Sequence, residues 1–283
     1  MTSTTNYWDN IERVKIFMNT ADAVLVGIGA GMSTAAGFTY SGERFHKYFD
    51  DFYKKYGITD MYSGGFYSFE SMEEYWAWWS RHIYYNRYDT PAGVPYVQLM
   101  NLLQDKNYFV ITTNVDHQMQ LAGVDKNRLY YMQGDYGLWQ CSEPCHQKTY
   151  DNEEQVRRMV NEQTDMKIPT ALIPHCPRCG ELMTMNLRID GTFVQDEGWY
   201  AAQNRYADFI ERYKDKKLIM LEIGVGYNTP MIIKYPFMRM AHDNIDALYV
   251  PINIEDQPIP FEIHKNTVSF NNDIQKVMND LLS

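Results

Sequence analysis

The sequence lacks the features of a membrane or exported protein. No apolar run in its 283 residues approaches the ~20 residues of a membrane span, and the N-terminus MTSTTNYWDNIERV has no basic segment followed by an apolar one. Cysteine is scarce, with four residues. We therefore expect a cytoplasmic protein without a membrane partner.

Positive charge is also in short supply. The chain has 26 lysines and arginines against 36 acidic residues, which gives a formal net charge of −10. A broad nucleic-acid-binding surface requires clustered basic side chains, so we expect no nucleic-acid partner, although a local basic pocket for a small anion is compatible with this balance. Hydrophobic residues make up 45% and charged residues 22%, the usual composition of a soluble protein with a sizeable core.

Apolar strand-like runs alternate with helix-like stretches along the chain. The runs that resemble buried strands are 23–26, 108–112, 128–132, 217–223, 247–254 and 267–270. This alternation predicts an α/β protein with a parallel sheet. We expect helices over TNVDHQMQLAG, which ends near Gly123, and over NNDIQKVMNDLL, for which Asn271 or Asn272 is the candidate N-cap.

Two segments interrupt this alternation. Residues 40–100 are rich in Tyr, Trp and Phe without the period of a strand, and they predict a helical insert. Residues 135–195 contain all four cysteines and several prolines, and they predict a small module inserted between two strands. The remaining segments, 1–39, 101–134 and 196–283, then form the main domain, and the two inserts form a smaller one.

The four cysteines form two close pairs. Three residues separate Cys141 from Cys145 and two separate Cys176 from Cys179, in the motif HCPRCG. This spacing is typical of a structural zinc ribbon, in which four thiolates close a tetrahedral site around one Zn²⁺ ion. Unligated thiols and two disulfides are the alternatives, and an intracellular location disfavours the disulfides. We therefore predict a structural zinc site without catalytic function.

Two glycine-rich turns follow predicted strands. The first, GIGAGMSTAAG, includes Gly29, Ala30 and Gly31. Glycines let the backbone approach a pyrophosphate, and the N-terminus of the following helix offers free amides, so this turn is a candidate dinucleotide site. A tight turn without a ligand is the alternative. The second turn includes Gly224 and Gly226, and both turns would line one crevice at the carboxyl ends of parallel strands.

Polar residues follow or end other predicted strands. Asn114 and Asp116 stand in TTNVD, where they are candidates to bind a carboxamide or a water molecule, with helix N-capping by Asn114 as the alternative. Gln133, in YYMQGDYG, carries a neutral amide that cannot take up a proton near pH 7. Asn253 and Glu255 follow a later strand and are candidates for an adenosine ribose or base, or for an ordinary solvated loop.

Taken together, these motifs resemble the sirtuin family. The resemblance extends from about residue 20 to about residue 280 and includes GAGMS, which ends at Ser33, TTNVD, and a Gln-Gly pair at the family's His-Gly position. The cysteine module, the GVG turn and the INIE segment follow in the family's order. The resemblance implies a six-stranded Rossmann-type domain, a smaller zinc-binding and helical domain, and NAD held between them and consumed as a substrate.

Three departures separate the chain from the deacylating sirtuins. GFTYSGERF, from Gly37 to Phe45, replaces Gly-Ile-Pro-Asp-Phe-Arg, and Gln133 replaces the catalytic histidine. MNLRIDGTFVQDEGW stands in place of the Phe-Gly-Glu strand that pairs with an acyl-lysine peptide. We expect Arg44 and Phe45 to close over NAD, the arginine on a phosphate or carboxylate; a surface charge is the alternative for Arg44.

These departures are similar to the macrodomain-linked class of microbial sirtuins. That class is associated with protein ADP-ribosylation, and the resemblance implies a lipoyl-carrier protein related to the glycine-cleavage H protein as the acceptor. It also implies a macrodomain hydrolase as a further partner, acting on the product.

The chemistry of Gln133 favours transfer over deacylation. Deacylation requires a base that removes a proton from a ribose hydroxyl, and a histidine with a pKa of about 6.5 suits this step whereas glutamine does not. An acceptor that is already ionised, such as Asp or Glu, needs no base. Because a general base contributes ~10²–10⁴-fold, we predict an NAD-dependent protein ADP-ribosyltransferase with Asn114, Asp116 and Gln133 as catalytic residues. The alternatives are an NAD hydrolase or weak lysine deacylase, and a silent NAD or ADP-ribose sensor.

Overall fold

The computed structural model describes residues 4–227 and 230–283, which form two sheets and their surrounding helices. The strands are β1 (Ala23–Ile28), β2 (Tyr108–Thr112), β3 (Leu129–Tyr131), β4 (Gly134–Cys141), β5 (Tyr150–Asp151), β6 (Met183–Leu187), β7 (Leu218–Ile223), β8 (Leu248–Asn253) and β9 (Phe270–Asn271). The α-helices are α1 (Thr4–Thr20), α2 (Ala30–Ala35), α3 (Glu43–Tyr56), α4 (Met61–Gly64), α5 (Met72–Ile83), α6 (Val94–Leu102), α7 (Gln118–Leu121), α8 (Glu153–Glu162), α9 (Glu197–Tyr213), α10 (Lys234–Asp243) and α11 (Ile274–Leu282). Within these described ranges, no helix has the length and apolar character needed to cross a membrane.

The larger sheet is parallel and has six strands in the order β3-β2-β1-β7-β8-β9. The chain adds β2 and β3 on one side of β1 and then crosses to the other side to add β7, β8 and β9, so the strand order reverses at the β1–β7 pair as in a Rossmann domain. The α/β prediction is therefore confirmed. Each predicted apolar run overlaps a strand of this sheet. The last run contributes only Phe270, because β9 pairs with β8 just at the end of that run.

The larger sheet is buried on both faces. Along β1, Val24, Val26 and Ile28 face a core shared with α1, α6 and α11. Ala23 and Leu25 face a second core, shared with α9 and α10. Since alternate residues of a strand point to opposite faces, a strand covered on both sides must be apolar nearly throughout. This burial is why the central strands are recognisable in the sequence as apolar runs.

The last helix, α11, begins later than the sequence predicted. Its N-cap is Asp273, whose Oδ1 accepts a hydrogen bond from the backbone N–H of Lys276 at 2.8 Å. The prediction of Asn271 or Asn272 as the cap was wrong, because Asn271 belongs to β9 and the chain turns only after it.

The helix predicted after the TTNVD motif is much shorter than expected. Only α7 is helical in this stretch, and the residue before it, His117, has a left-handed φ of 64°. A residue in that conformation cannot continue a right-handed helix towards the N-terminus. The motif therefore lies in an irregular loop between β2 and α7.

The smaller sheet and the helical insert share a core of their own. β4 pairs in antiparallel fashion with β5 and β6, and side chains from α3, α5 and α8 pack against this sheet. Phe45, Phe49, Trp76 and Trp78 are fully buried in this core. The aromatic richness of the insert thus reflects core packing, and the prediction of a smaller helical domain is confirmed.

One helix of the predicted insert packs elsewhere. Tyr96 and Leu99 of α6 lie in the core of the larger sheet, and α6 packs against α11. We therefore propose that the insert ends near Gly93 rather than at residue 100. The other boundaries inferred from the sequence stay predictions.

The turn between β3 and β4 tests how closely the start of β4 packs against β6. Gly134 has a φ of 95°, and a Cβ added there would lie 1.9 Å from the carbonyl oxygen of Asn186, whereas Gly123 has a φ of 92° and open space around it. A left-handed backbone alone costs an ordinary residue about 1–2 kcal/mol. We expect Gly123→Ala to lower the free energy of unfolding by about this amount, and Gly134→Ala to lower it by about 3 kcal/mol or more. Denaturant unfolding measures both, and equal losses would contradict the close packing of Gly134.

Candidate active site

A deep cavity opens at the carboxyl ends of β1 and β7. Its volume is about 950 Å³, within the range of about 300–1,000 Å³ that is usual for small-molecule sites. Ligands of open α/β sheets bind at this position, where the strand order reverses. The predicted site residues that line the cavity are Gly29, Ala30, Gly31, Asn114, Gln133, Gly224, Gly226, Asn253 and Glu255.

The two glycine turns pack directly against each other in the cavity wall. The backbone N–H of Gly31 donates to the carbonyl oxygen of Gly224 at 2.9 Å. A Cβ on Gly29 would lie 2.6 Å from that same oxygen, and a Cβ on Gly31 would lie 2.7 Å from the Cα of Gly224. Side chains are therefore excluded here, and bare backbone faces the place where a pyrophosphate would approach. These residues fit a dinucleotide.

Asn114 is fixed on the cavity wall through its amide nitrogen. Nδ2 donates to the carbonyl oxygen of Gly29 at 3.0 Å, to Oγ of Ser33 at 3.1 Å and to the hydroxyl of Tyr96 at 3.0 Å. The N-cap of α7 is His117, so Asn114 does not cap that helix. In the part of the chain that the structure describes, side-chain hydrogen bonds of Asn114 involve only Nδ2, which leaves Oδ1 for a ligand.

Ser33 and Asp116 lie behind Asn114 and do not line the cavity. The hydroxyl of Ser33 donates to Oδ2 of Asp116 at 2.5 Å, and Oδ1 accepts from the backbone N–H of Gln118 at 3.1 Å. Burial raises the pKa of the Asp116 carboxyl, although these two hydrogen bonds oppose the rise. The geometry differs from the predicted direct contact, because Asp116 holds Ser33 and through it the amide of Asn114.

Gln133 lines the cavity just beyond β3, and its backbone is held on both sides. Its carbonyl oxygen accepts a hydrogen bond from the backbone N–H of Arg188 at 3.0 Å. The next residue, Gly134, packs against the backbone of Asn186 with no room for a side chain. The predicted strand-end position of Gln133 is therefore the observed one.

Asp135 anchors the strand that follows Gln133. Oδ1 accepts from Nε of Arg87 at 2.9 Å and from the backbone N–H of Gly137 at 2.7 Å, and Oδ2 lies 2.5 Å from Nδ1 of His117. Burial opposes ionisation of Asp135, but the hydrogen bond of His117 and the charge of Arg87 outweigh it and hold the pKa below its usual value. Groups from three parts of the chain thus restrain the backbone next to Gln133.

Arg44 does not line the cavity, in contrast to the sequence-based expectation. Its guanidinium donates to the carbonyl oxygens of Thr39 at 3.0 Å and Tyr85 at 2.7 Å, and to Oδ1 of Asn86 at 2.8 Å. These bonds tie the segment before α3 to the π-helix Tyr84–Tyr88. Because these bonds hold the guanidinium away from the cavity wall, Arg44 is not placed to bind a phosphate in this structure.

Phe45 and Gly37 also lie away from the cavity wall. Phe45 is fully buried and stacks on Phe49, with 5.8 Å between ring centroids. Gly37 has a φ of 87° and open space around it, so it serves the turn after α2. Gly37 and Phe45 of the motif GFTYSGERF were expected to bind the cofactor, but the motif does not show that α3 directs Phe45 into the core.

Asn253 and Glu255 line the cavity beyond β8. Nδ2 of Asn253 donates to the carbonyl oxygen of Val225 at 3.2 Å, which joins the end of β8 to the second glycine turn. Glu255 is exposed. Both stand at the predicted edge of the sheet, and their contact with an adenosine stays a prediction.

Several residues of the smaller domain line the cavity without having been recognised in the sequence. They are Tyr40, Trp79, His82, Tyr136 and Arg188. The hydroxyls of Tyr40 and Tyr136 are 2.7 Å apart although the residues are 96 positions apart in sequence. No local pattern predicts such a contact. The one available signal was His82, a histidine inside the aromatic helix α5.

The four cysteines converge on one point. All are free thiols, and their Sγ atoms lie within 4.8 Å of one another. Cys141 and Cys179 are 3.5 Å apart and Cys145 and Cys176 are 3.7 Å apart, and Zn–S bonds of about 2.3 Å place the sulfurs of a tetrahedron about 3.8 Å apart. Gly180, with a φ of 82°, donates its N–H to the carbonyl oxygen of Cys176. The donor set fits one structural zinc ion, as predicted.

Comparison with known proteins identifies the family. Residues 29–210 match the Sir2 family. The chain is 41% identical over 272 residues to a protein ADP-ribosyltransferase of Staphylococcus aureus (strain Mu50 / ATCC 700699), a match that covers 96% of this chain and 86% of the relative. It is 31% identical over 236 residues to a probable bifunctional ADP-ribose hydrolase/ADP-ribosyltransferase of Fusarium oxysporum f. sp. cubense, which covers 78% of this chain and 38% of that longer protein.

Solved structures share the fold. Sir2Tm bound to a propionylated peptide superposes with a TM-score of 0.61 at 18% identity, and the match covers 96% of this chain and 97% of that one. A Sir2–p53 peptide–NAD⁺ complex gives a TM-score of 0.58 at 18% identity, with the same coverage. The chain belongs to the Sir2 family, and the resemblance to sirtuins seen in the sequence is confirmed.

The cysteine cluster gives a direct test of the metal prediction. We expect the purified protein to contain one zinc per chain and Cys176→Ser to lose it, because an alcohol replaces a thiolate ligand. His175→Ala is the matched control: His175 is the preceding residue and its Nδ1 contacts the carbonyl oxygen of Gly180. Metal analysis of the purified variants checks the expectation. Full zinc occupancy in Cys176→Ser would contradict a four-thiolate site.

Proposed function

We propose that this Sir2 family member is an NAD-dependent protein ADP-ribosyltransferase, which transfers ADP-ribose from NAD to an acceptor protein and releases nicotinamide. The relative from Staphylococcus aureus supports this reaction, because it is named a protein ADP-ribosyltransferase and is 41% identical over 96% of this chain. The observation that carries the proposal is the position of Gln133 on the cavity wall.

Gln133 separates the proposed reaction from deacylation. A deacylating enzyme needs a base that takes a proton from a ribose hydroxyl, and an amide side chain has no basic site near neutral pH. An ionised carboxylate of an acceptor attacks without such a base. Gln133 instead holds a ribose hydroxyl by hydrogen bonding, and its restrained backbone keeps the amide in place.

The cavity offers separate places for the parts of NAD. The bare backbone of Gly29, Gly31 and Gly224 faces the pyrophosphate, and Asn253 and Glu255 face the adenosine. Nicotinamide then lies near Asn114, whose Oδ1 is available on the wall. As the bond between nicotinamide and the ribose C1′ breaks, positive charge develops on the ribose, and a preorganised amide oxygen beside it stabilises that charge.

The acceptor reaches the ribose through a second cavity of about 1,030 Å³. This cavity shares Gln133, Arg188 and Ile189 with the first, so the two meet beside the reacting position. Arg188 is exposed there, and among the described residues it is the only lysine or arginine on either wall. A cation at this junction attracts an anionic acceptor, in agreement with attack by an aspartate or glutamate.

The identity of the acceptor follows from the sequence resemblance. As part of the proposal, the acceptor is a lipoyl-carrier protein related to the glycine-cleavage H protein, and a macrodomain hydrolase removes the modification. We also retain a cytoplasmic location as part of the proposal. The fungal relative is named a probable bifunctional ADP-ribose hydrolase/ADP-ribosyltransferase, and this name supports the enzymatic removal of the modification.

Intact mass spectrometry of acceptor proteins tests the proposed function. We expect incubation with NAD to add one ADP-ribose mass to a lipoyl-carrier protein, and Asn114→Ala to reduce this transfer at least about 100-fold, since one preorganised polar group contributes on the order of 10²-fold or more. Asn101→Ala, an exposed asparagine on α6, is the matched control and should transfer normally.

The same assay distinguishes the other functions. Nicotinamide release without a modified acceptor indicates an NAD hydrolase, and loss of acetyl from a lysine peptide indicates a deacylase. NAD binding without nicotinamide release indicates a sensor. Any of these results, with no ADP-ribose on any carrier protein, would overturn the transferase proposal.

A further inference from the structure

The chain between β6 and α9 passes the place where the two cavities meet. We refer to residues 188–194 of this segment as the junction loop. Arg188 and Ile189 line both cavities, and Asp190 lines the second. All three residues are exposed, Ile189 to 60%. An exposed segment can define the shape of this entrance only if the structure beneath it fixes its course.

The two faces of the smaller sheet are covered in different ways. Trp139 of β4 and Met185 of β6 are opposite each other and pack into the aromatic core. Because successive residues of a strand point to opposite faces, Gln140 and Asn186 point away from that core. Both are nonetheless buried, with only 1% and 3% of their surface exposed. The junction loop covers them, so two amide side chains lie beneath it.

Hydrogen bonds connect the two amides to each other and to the backbone of the loop. Oε1 of Gln140 accepts from the N–H of Val194 at 2.8 Å, and Nε2 donates to the carbonyl oxygen of Thr192 at 2.8 Å. Nδ2 of Asn186 donates to the carbonyl oxygen of Val194 at 2.9 Å and to Oε1 of Gln140 at 2.7 Å. Because hydrogen bonds are directional and a buried polar network is favourable only when its members are paired, this network specifies one course of the loop.

The exposed part of the loop is also tied to the protein through its backbone. The N–H of Arg188 donates to the carbonyl oxygen of Gln133 at 3.0 Å, and the N–H of Thr192 donates to Oδ1 of Asp190 at 2.8 Å. With these donors engaged, the loop presents the side chains of Arg188 and Ile189 at the junction of the cavities. A contact surface that is already ordered loses less conformational entropy when a partner binds.

We propose that Gln140 and Asn186 are positioning residues for the acceptor protein. Neither lines a cavity. Their amides hold the junction loop from beneath, and the loop in turn places Arg188 and Ile189 against the acceptor. The nature of the partner, an anionic protein that arrives through the second cavity, rests on the proposed function. The proposal adds that the partner is recognised by a loop held rigid by two buried amides, and not by a loop that becomes ordered around it.

Calorimetric titration of the full chain tests the role of the amides, with a lipoyl-carrier protein as one ligand and NAD as the other. Gln140→Met removes the hydrogen bonds and keeps a side chain of similar length. We expect it to weaken carrier binding at least about tenfold and NAD binding by no more than about twofold, because the released loop must then be ordered when the carrier binds.

The matched control is the same substitution elsewhere in the smaller domain. Gln155 lies on α8, lines neither cavity, and donates through Nε2 to the carbonyl oxygen of Leu172 at 2.8 Å. Gln155→Met should therefore leave carrier binding unchanged. Hydrogen exchange of the backbone amides reports on the loop itself: the N–H of Val194 should exchange slowly in the wild-type chain and faster in Gln140→Met, while the amides of β1 keep their rates.

The outcomes separate a positioning role from a purely structural one. If Gln140→Met does not fold, Asn186→Leu replaces it and should show the same changes. Equal losses of carrier and NAD affinity, unchanged carrier affinity in the folded variants, or no carrier binding by the wild-type chain would overturn the proposal. Because binding is measured without turnover, weaker carrier binding in Gln140→Met supports the proposal even where no ADP-ribose is transferred, a result that would count against the transferase function alone.

Discussion

The contact between the two glycine turns is the constraint on which the site depends. Gly29 and Gly31 can contact Gly224 only because none of the three has a Cβ. The hydrogen bond from the N–H of Gly31 to the carbonyl oxygen of Gly224 joins the turns that follow β1 and β7. This contact lies at the carboxyl ends of β1 and β7, the point where the strand order reverses. It leaves the backbone bare towards the cavity, and it places Gly29 where its carbonyl oxygen accepts from Asn114.

The reacting end of the cavity is held by buried hydrogen bonds and one buried ion pair. Ser33, Asp116 and Tyr96 fix the amide of Asn114 from behind, and Asp135 restrains the backbone beside Gln133. Two amides, those of Asn114 and Gln133, thus belong to residues of the cavity wall, and neither can act as a base. This composition suits a reaction in which nicotinamide leaves from a stabilised ribose and an ionised acceptor arrives through the opening marked by Arg188.

The sequence predicted those features that depend on local patterns. Central strands buried on both faces are apolar runs, and the strand-end glycines and the cysteine pairs follow directly from spacing. The misplaced N-cap of α11 reflects the pairing of Asn271 with β8, and the short α7 reflects the left-handed backbone of His117. No periodicity in the sequence contains either. Arg44 and Phe45 face the smaller domain because of long-range packing, and Tyr40, His82 and Tyr136 meet although they come from three distant segments. Such contacts exist only in the folded chain.

The pH dependence of ADP-ribose transfer tests the central claim most directly, namely that Gln133 leaves the reaction without a titrating base. The rate would be measured at saturating NAD and acceptor between about pH 5 and pH 8, the interval in which an ordinary histidine changes charge. The account predicts a flat profile there, because an acceptor carboxylate with a pKa of about 4 is already ionised throughout. A rise in rate with a midpoint near pH 6.5, as a histidine base would give, would contradict it.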